Sequence, residues 1–110
     1  MKRILVVDDH KEVRGLLSKF FLSSGYEVDT AKDGETAMEK MKEKAYDLVV
    51  TDYMMPKMDG IDLLKKLKME NPQLSILMMS GSGVGEAFFR QLGADAFLTK
   101  PLDLSSVKVL

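Results

Sequence analysis

The chain has 110 residues, with 16 Lys and Arg against 17 Asp and Glu and a single His, for a net charge of -1. That length suits one domain spanning 1–110 with one core, and the balanced charge gives no basis for nonspecific binding to nucleic acid or to a membrane surface. With no Cys and one His, disulfide frameworks, zinc fingers, thiol catalysis and His-cluster metal sites are excluded, and a Ser-His-Asp triad is disfavoured.

Short apolar runs recur at residues 4–7, 26–30, 48–50, 76–79 and 96–98. The longest are four residues, far short of a membrane span or a signal peptide, so the expectation is a soluble, cytoplasmic protein. The runs are continuous rather than alternating, as parallel strands covered on both faces require. The second run, with Glu27 and Asp29 interleaved, reads as a half-exposed edge strand. After the first run, Val13, Leu16, Leu17, Phe20 and Phe21 form an apolar stripe, and Gly25 supplies a left-handed stop. After the second, Asp33 is placed to cap a helix with Ala37, Met38 and Met41 inward. After the third, Asp59-Gly60 opens a helix with Ile61, Leu64 and Leu67 inward, ended by Asn71-Pro72. The fourth helix is weak: Gly81, Gly83 and Gly85 precede two turns around Ala87, Phe88 and Leu92, then Gly93. A fifth begins near Asp103 and stops at Leu110 after barely two turns. Strand and helix alternating in this way specify an α/β domain with a parallel sheet, right-handed crossovers and helices on both faces.

Open parallel sheets bind ligands beyond the carboxyl ends of their strands. Here the first run ends in Asp8-Asp9, the third in Thr51-Asp52, the fourth in Ser80 and the fifth in Thr99-Lys100. Three carboxylates, a hydroxyl and an ammonium therefore converge on one rim. Crowded carboxylates repel unless a cation joins them, and an all-oxygen set favours a hard ion such as Mg²⁺. A carboxylate so placed is a nucleophile toward phosphorus, and the cation and lysine offset charge on a transferring phosphoryl group. Taken singly, each Asp is a turn former or helix cap, Lys100 a solvated loop residue and Ser80 a turn residue. Four strands each contributing a member is a different matter.

Taken together, Val6-Val7-Asp8-Asp9, Asp52 with Met55-Pro56-Lys57-Met58-Asp59-Gly60, Ser80-Gly81, and Gly93-Ala94-Asp95 leading to Thr99-Lys100-Pro101 resemble a CheY-like receiver domain, the phospho-accepting module of bacterial response regulators. The resemblance runs from Ile4 to Pro101 and implies a flavodoxin-like, doubly wound five-stranded sheet of order 2-1-3-4-5. It implies that Asp52 is phosphorylated by a histidine kinase or histidine phosphotransfer protein. It further implies that Asp8, Asp9, Asp52 and the backbone carbonyl of Met54 hold Mg²⁺, and that Lys100 contacts the phosphoryl group before a cis Pro101. Ser80 matches the switch hydroxyl and Phe97 the aromatic that moves with it, reshaping the face of the fourth helix, fifth strand and fifth helix. That face is the expected contact for a second copy or an output partner. Gly81 keeps the site open, and Met54 and Ser82 stand where the family sets phosphoryl lifetime.

Other features read more plainly. Gly81-Ser82-Gly83-Val84-Gly85 lacks the third glycine spacing of a dinucleotide loop and is a flexible connection. His10 is expected at the entrance to the first helix, exposed and without a metal role. Met38, Met41, Met78 and Met79 fall in core patterns. Phe88 and Phe89 are adjacent, so one side of a helix does not take both; either one is exposed or both are accommodated in packing. Residues 80–93 are about two shorter than is usual in the family, and the fifth helix is cut short, which fits either a fragment of a longer regulator or a truly short helix. Two rivals are a Mg²⁺-dependent phosphatase with an Asp nucleophile and a pseudo-receiver used only for interaction. Met54 stands where the former needs a general acid, and the full set Asp8, Asp9, Asp52 and Lys100 argues against the latter.

Overall fold

A computed structural model describes residues 2–53, 60–81 and 86–99. Met54, Lys100, Pro101, Ser82 and the expected fifth helix lie outside the described residues. The elements run β1 (Arg3–Val7), α1 (Lys11–Ser23), β2 (Glu27–Ala31), α2 (Gly34–Glu43), β3 (Leu48–Asp52), α3 (Gly60–Glu70), β4 (Ser75–Ser80), α4 (Glu86–Gln91) and β5 (Ala96–Thr99). All pairings are parallel and the sheet order is β2-β1-β3-β4-β5. This is the doubly wound, flavodoxin-like sheet that the resemblance implied. No helix among the described residues is long and apolar enough to cross a membrane.

Alternation along each strand sends side chains to two layers. Leu5, Val7, Val49, Ile76 and Met78 face α2 and α3, where they meet Ala37, Leu63, Leu64 and Leu67. Ile4, Val6, Val50, Leu77 and Met79 face the other way and meet Leu17 and Phe21 of α1. Each fully buried aliphatic side chain contributes about 1.5–3 kcal/mol relative to exposure, so these two layers supply the main drive to fold. Strand β2 is the edge, and only Ala31 in it is buried.

The helix boundaries follow local chemistry. Gly25 adopts φ 92 after α1, a left-handed turn open to glycine, and Gly93 does the same at φ 109 after α4. Asp33 caps α2 by accepting a hydrogen bond from the Thr36 amide at 2.8 Å. One inward assignment changes and one residue is added to an inward face. Leu16 is 48% exposed, because a neighbour 100° round the helix from Leu17 turns away when one helix face meets the sheet. On α3 it is Leu63, beside Leu64 and Leu67, that is fully buried, while Ile61 is only partly covered. That helix packs on both the sheet and α2, so its apolar face is wider. Phe88 is 44% exposed, so the pair Phe88-Phe89 is not wholly accommodated in packing.

Candidate functional site

The sheet order reverses beside β1: the chain leaves β1 for β2 on one side and later lays β3 on the other. In open α/β sheets the crevice at such a reversal is where ligands bind. Registers set the levels of the rim residues there. Val7 pairs with Thr51, so Asp8 and Asp52 follow at the same height, and Asp52 pairs with Met79 just before Ser80. Ser80 in turn pairs with Thr99. The ladder continues past the strand ends, with the Asp8 amide donating to Ala31 O at 3.1 Å and the Tyr53 amide to Met79 O at 2.8 Å.

Asp8 is fully buried, Asp52 is 4% exposed and Ser80 3% exposed, while Asp9 is exposed. One donor atom from each of Asp8, Asp9, His10 and Asp52 lies within 4.8 Å of the other three. Burying carboxylates is costly unless a cation or hydrogen bonds offset the charge, and this cluster could hold a cation. Its oxygen donors fit a hard dication that retains water for further oxygen ligands. Phe97 is partly buried against the layer of Met78, its register partner. Asp8, Asp9, Asp52 and Ser80 thus meet on one rim; Met54 and Lys100 fall outside the described residues.

Four residues do more here than the sequence reading gave them. His10 is exposed as expected, but its ring Nδ1 lies 3.1 Å from Asp8 Oδ1 and 3.2 Å from Asp9 Oδ1. Arg14 donates from Nη1 to the Asp8 carbonyl at 2.8 Å, fixing the backbone beneath the acidic pair. The only trace of this in the sequence is a cation near a helix N-terminus, where the helix dipole disfavours positive charge. Gly60 brings the start of α3 onto the backbone of Asp52 and Tyr53, its amide donating to Tyr53 O at 2.9 Å. Asp95, quoted only as part of a motif, ties three elements together. Its Oδ2 accepts from the Ile76 amide and from Lys68 Nζ, each at 2.8 Å, and its own amide donates to Ile76 O.

Known proteins are similar in sequence and in fold. The chain is 42% identical over 104 residues to the alkaline phosphatase synthesis transcriptional regulatory protein PhoP of Bacillus subtilis, covering 91% of this chain and 42% of that protein. It is 38% identical over 105 residues to the transcriptional regulatory protein CpxR of Escherichia coli, covering 94% of this chain and 44% of that protein. It therefore spans less than half the length of these curated relatives. Among solved structures, the response regulator TrrA of Thermotoga maritima, in complex with Mg²⁺ and BeF, superimposes with a TM-score of 0.86 at 33% identity, covering 94% of this chain and 90% of that one. The sequence profile of the response regulator receiver domain matches residues 4–109. On that match, and on the sheet order that agrees with it, the chain belongs to the receiver domains of two-component response regulators, a signalling family rather than one of metabolic enzymes.

Proposed function

We propose that the chain is a single-domain unit, residues 1–110, that accepts a phosphoryl group on Asp52 from the phosphohistidine of a histidine kinase or histidine phosphotransfer protein. The observation that carries this reading is the near-complete burial of Asp52 beside Asp8, with Asp9 and Ser80 on the same rim. A carboxylate oxygen of Asp52 attacks phosphorus, the P–N bond to the donor imidazole breaks, and the imidazole leaves with the bonding pair. Asp8, Asp9 and Asp52, with the Met54 carbonyl, would hold Mg²⁺, which when bound would offset negative charge on the phosphoryl oxygens. Lys100 supplies a further positive charge to the same oxygens, and the Ser80 hydroxyl donates to one of them. The chain catalyses only its own phosphorylation and dephosphorylation.

Drawing Ser80 toward the new acceptor oxygens empties space at the end of β4 on the Met78 side, into which Phe97 of β5 turns. Only an interaction that differs between the two states shifts such an equilibrium, and the Ser80 donation is that difference. The readout is the face formed by α4, β5 and the fifth helix, offered to a second copy or an output partner in the cytoplasm. Phe88, 44% exposed on α4, belongs to that face.

The reading is tested by incubating the protein with acetyl phosphate and Mg²⁺ and recording intact mass. One phosphoryl adduct is expected, absent from Asp52→Asn and from samples in EDTA. A folded, Mg²⁺-binding protein that gains no adduct would instead be a phosphorylation-independent interaction module.

A further inference from the structure

His10 stands before α1 in extended backbone, φ -90 and ψ 118, and its side chain makes no capping hydrogen bond to that helix. Its ring is turned to the acidic pair instead, with Nδ1 3.1 Å from Asp8 Oδ1 and 3.2 Å from Asp9 Oδ1. The His10 amide also donates to Asp8 Oδ1 at 2.8 Å, so the local backbone holds the imidazole at the rim. Adjacent ligands of an octahedral dication with bonds of about 2.1 Å are about 3.0 Å apart, and opposite ligands about 4.2 Å. The His10 nitrogen is therefore at the spacing of a neighbouring ligand from two carboxylates. The whole set of four donors lies within 4.8 Å of one another, so its widest pair must close by about 0.6 Å to share one such shell.

An imidazole among carboxylates changes which ion such a shell prefers. Mg²⁺ takes oxygen ligands, whereas Mn²⁺, Co²⁺ and Zn²⁺ accept imidazole nitrogen readily. We infer that His10 Nδ1, with its proton on Nε2, is a direct ligand in this site, and that the site takes a first-row transition dication more tightly than Mg²⁺. The inference rests on the proposal that Asp8, Asp9 and Asp52 hold a divalent cation.

Because the chain has one His, nitrogen coupling to a bound ion is assignable without labelling. The full chain is loaded with Mn²⁺ alone and examined by electron spin-echo envelope modulation, and Mn²⁺ and Mg²⁺ affinities are measured by titration of the free Mn²⁺ signal and by competition. Imidazole ¹⁴N modulation is expected in the wild type and absent in His10→Gln. Mn²⁺ affinity is expected to fall at least about tenfold in that variant, by the scale of losses seen when metal surroundings are altered. Mg²⁺ affinity should change by less than about twofold, since Mg²⁺ makes little use of imidazole. His10 is 61% exposed, so His10→Gln leaves the core intact, which circular dichroism verifies. Bound Mn²⁺ without nitrogen modulation, at an unchanged Mn²⁺ to Mg²⁺ ratio in His10→Gln, overturns this inference while the acidic cation site stands. Binding of neither ion by the wild type overturns the cation site as well.

Discussion

Gly60 sets how closely α3 approaches Asp52, and its role is a matter of atoms rather than of helix propensity. A Cβ at this position would fall on the Asp52 carbonyl oxygen and lie 2.8 Å from Cα of Tyr53. Both obstacles are backbone, so no side-chain rotation relieves the clash; the strand end carrying Asp52 must shift. Overpacking of this kind costs about 1–3 kcal/mol, and Gly60→Ala is expected to destabilise the protein within that range. Because the displaced backbone belongs to Asp52, phosphoryl uptake from acetyl phosphate should also slow. Gly15 provides the contrast. It lies in the interior of α1 with nothing within 4 Å of its would-be Cβ. Gly15→Ala should stabilise by about 0.5–1 kcal/mol through helix propensity and leave uptake unchanged. Urea melts with an intact-mass time course on both variants measure the pair, and equal effects would sink the assignment of Gly60 to the Asp52 backbone.

At the scale of elements, the edge strand β2 is tied through Asp29 to the α2–β3 loop. The Tyr46 hydroxyl donates to Asp29 Oδ2 at 2.6 Å, and Lys44 Nζ lies 3.4 Å from the same oxygen. The Tyr46 hydrogen bond, assisted by Lys44, holds the Asp29 carboxyl below its usual 3.8, despite an opposing push from burial. Burial first, and the Asp29 hydrogen bond and charge second, push the Tyr46 phenol above its usual range. Asp29 thus binds its proton less readily folded than unfolded, so its contribution is present above pH 3.8 and is lost as pH falls through the lower folded value. Tyr46 has the opposite sign: its contribution holds below 10.0 and is lost as pH rises toward the raised folded value. Tyr46→Phe keeps the ring in the core and removes both. It is expected to cost about 1–2 kcal/mol near neutrality, discounted for the partial exposure of Asp29, and progressively less below pH 4 and above pH 10. Denaturant unfolding across pH tests this, and a difference independent of pH would exclude the tether.

How far the sequence could be read varies with the element. Apolar runs located all five strands, and Glu27 with Asp29 marked β2 as the edge. Strand order is not encoded in any run, since it depends on which side of β1 each crossover lands; it came from resemblance to a family. Helix faces were readable only where one surface is covered. Leu16 turned outward because, among the described elements, α1 packs mainly on β1 and β2, and Leu63 turned inward because α3 also meets α2. Asp8, Asp9, Asp52 and Ser80 could be placed on one rim because each sits at a strand end. His10, Arg14 and Gly60 could not, because their roles arise from loop geometry that carries no periodic signal.

For the molecule as a whole, the acidic rim sets function against stability. The two apolar layers bring β1 and β3 together, and that pairing forces the fully buried Asp8 and the 4% exposed Asp52 into one cluster with Asp9. Two like charges about 4 Å apart repel by about 4 kcal/mol at an effective dielectric of about 20, and hydrogen bonds and solvent at Asp9 relieve part of this. Asp52→Asn keeps the side-chain shape and removes one charge. In EDTA it is expected to be more stable than the wild type by about 1 kcal/mol, a rise in Tm of about 4 °C for a chain of this size. Added Mg²⁺ should reverse the order. An ion that binds only the folded state stabilises by RT ln(1 + [L]/Kd), about 2.7 kcal/mol at a hundredfold excess over Kd, and the wild type with three carboxylates gains most of it. Calorimetric scans of both proteins across Mg²⁺ concentration should therefore cross. A variant less stable than the wild type in EDTA would mean that Asp52 is held by its hydrogen bonds more strongly than it is repelled by its neighbours. Parallel curves would mean that Asp52 does not touch the ion.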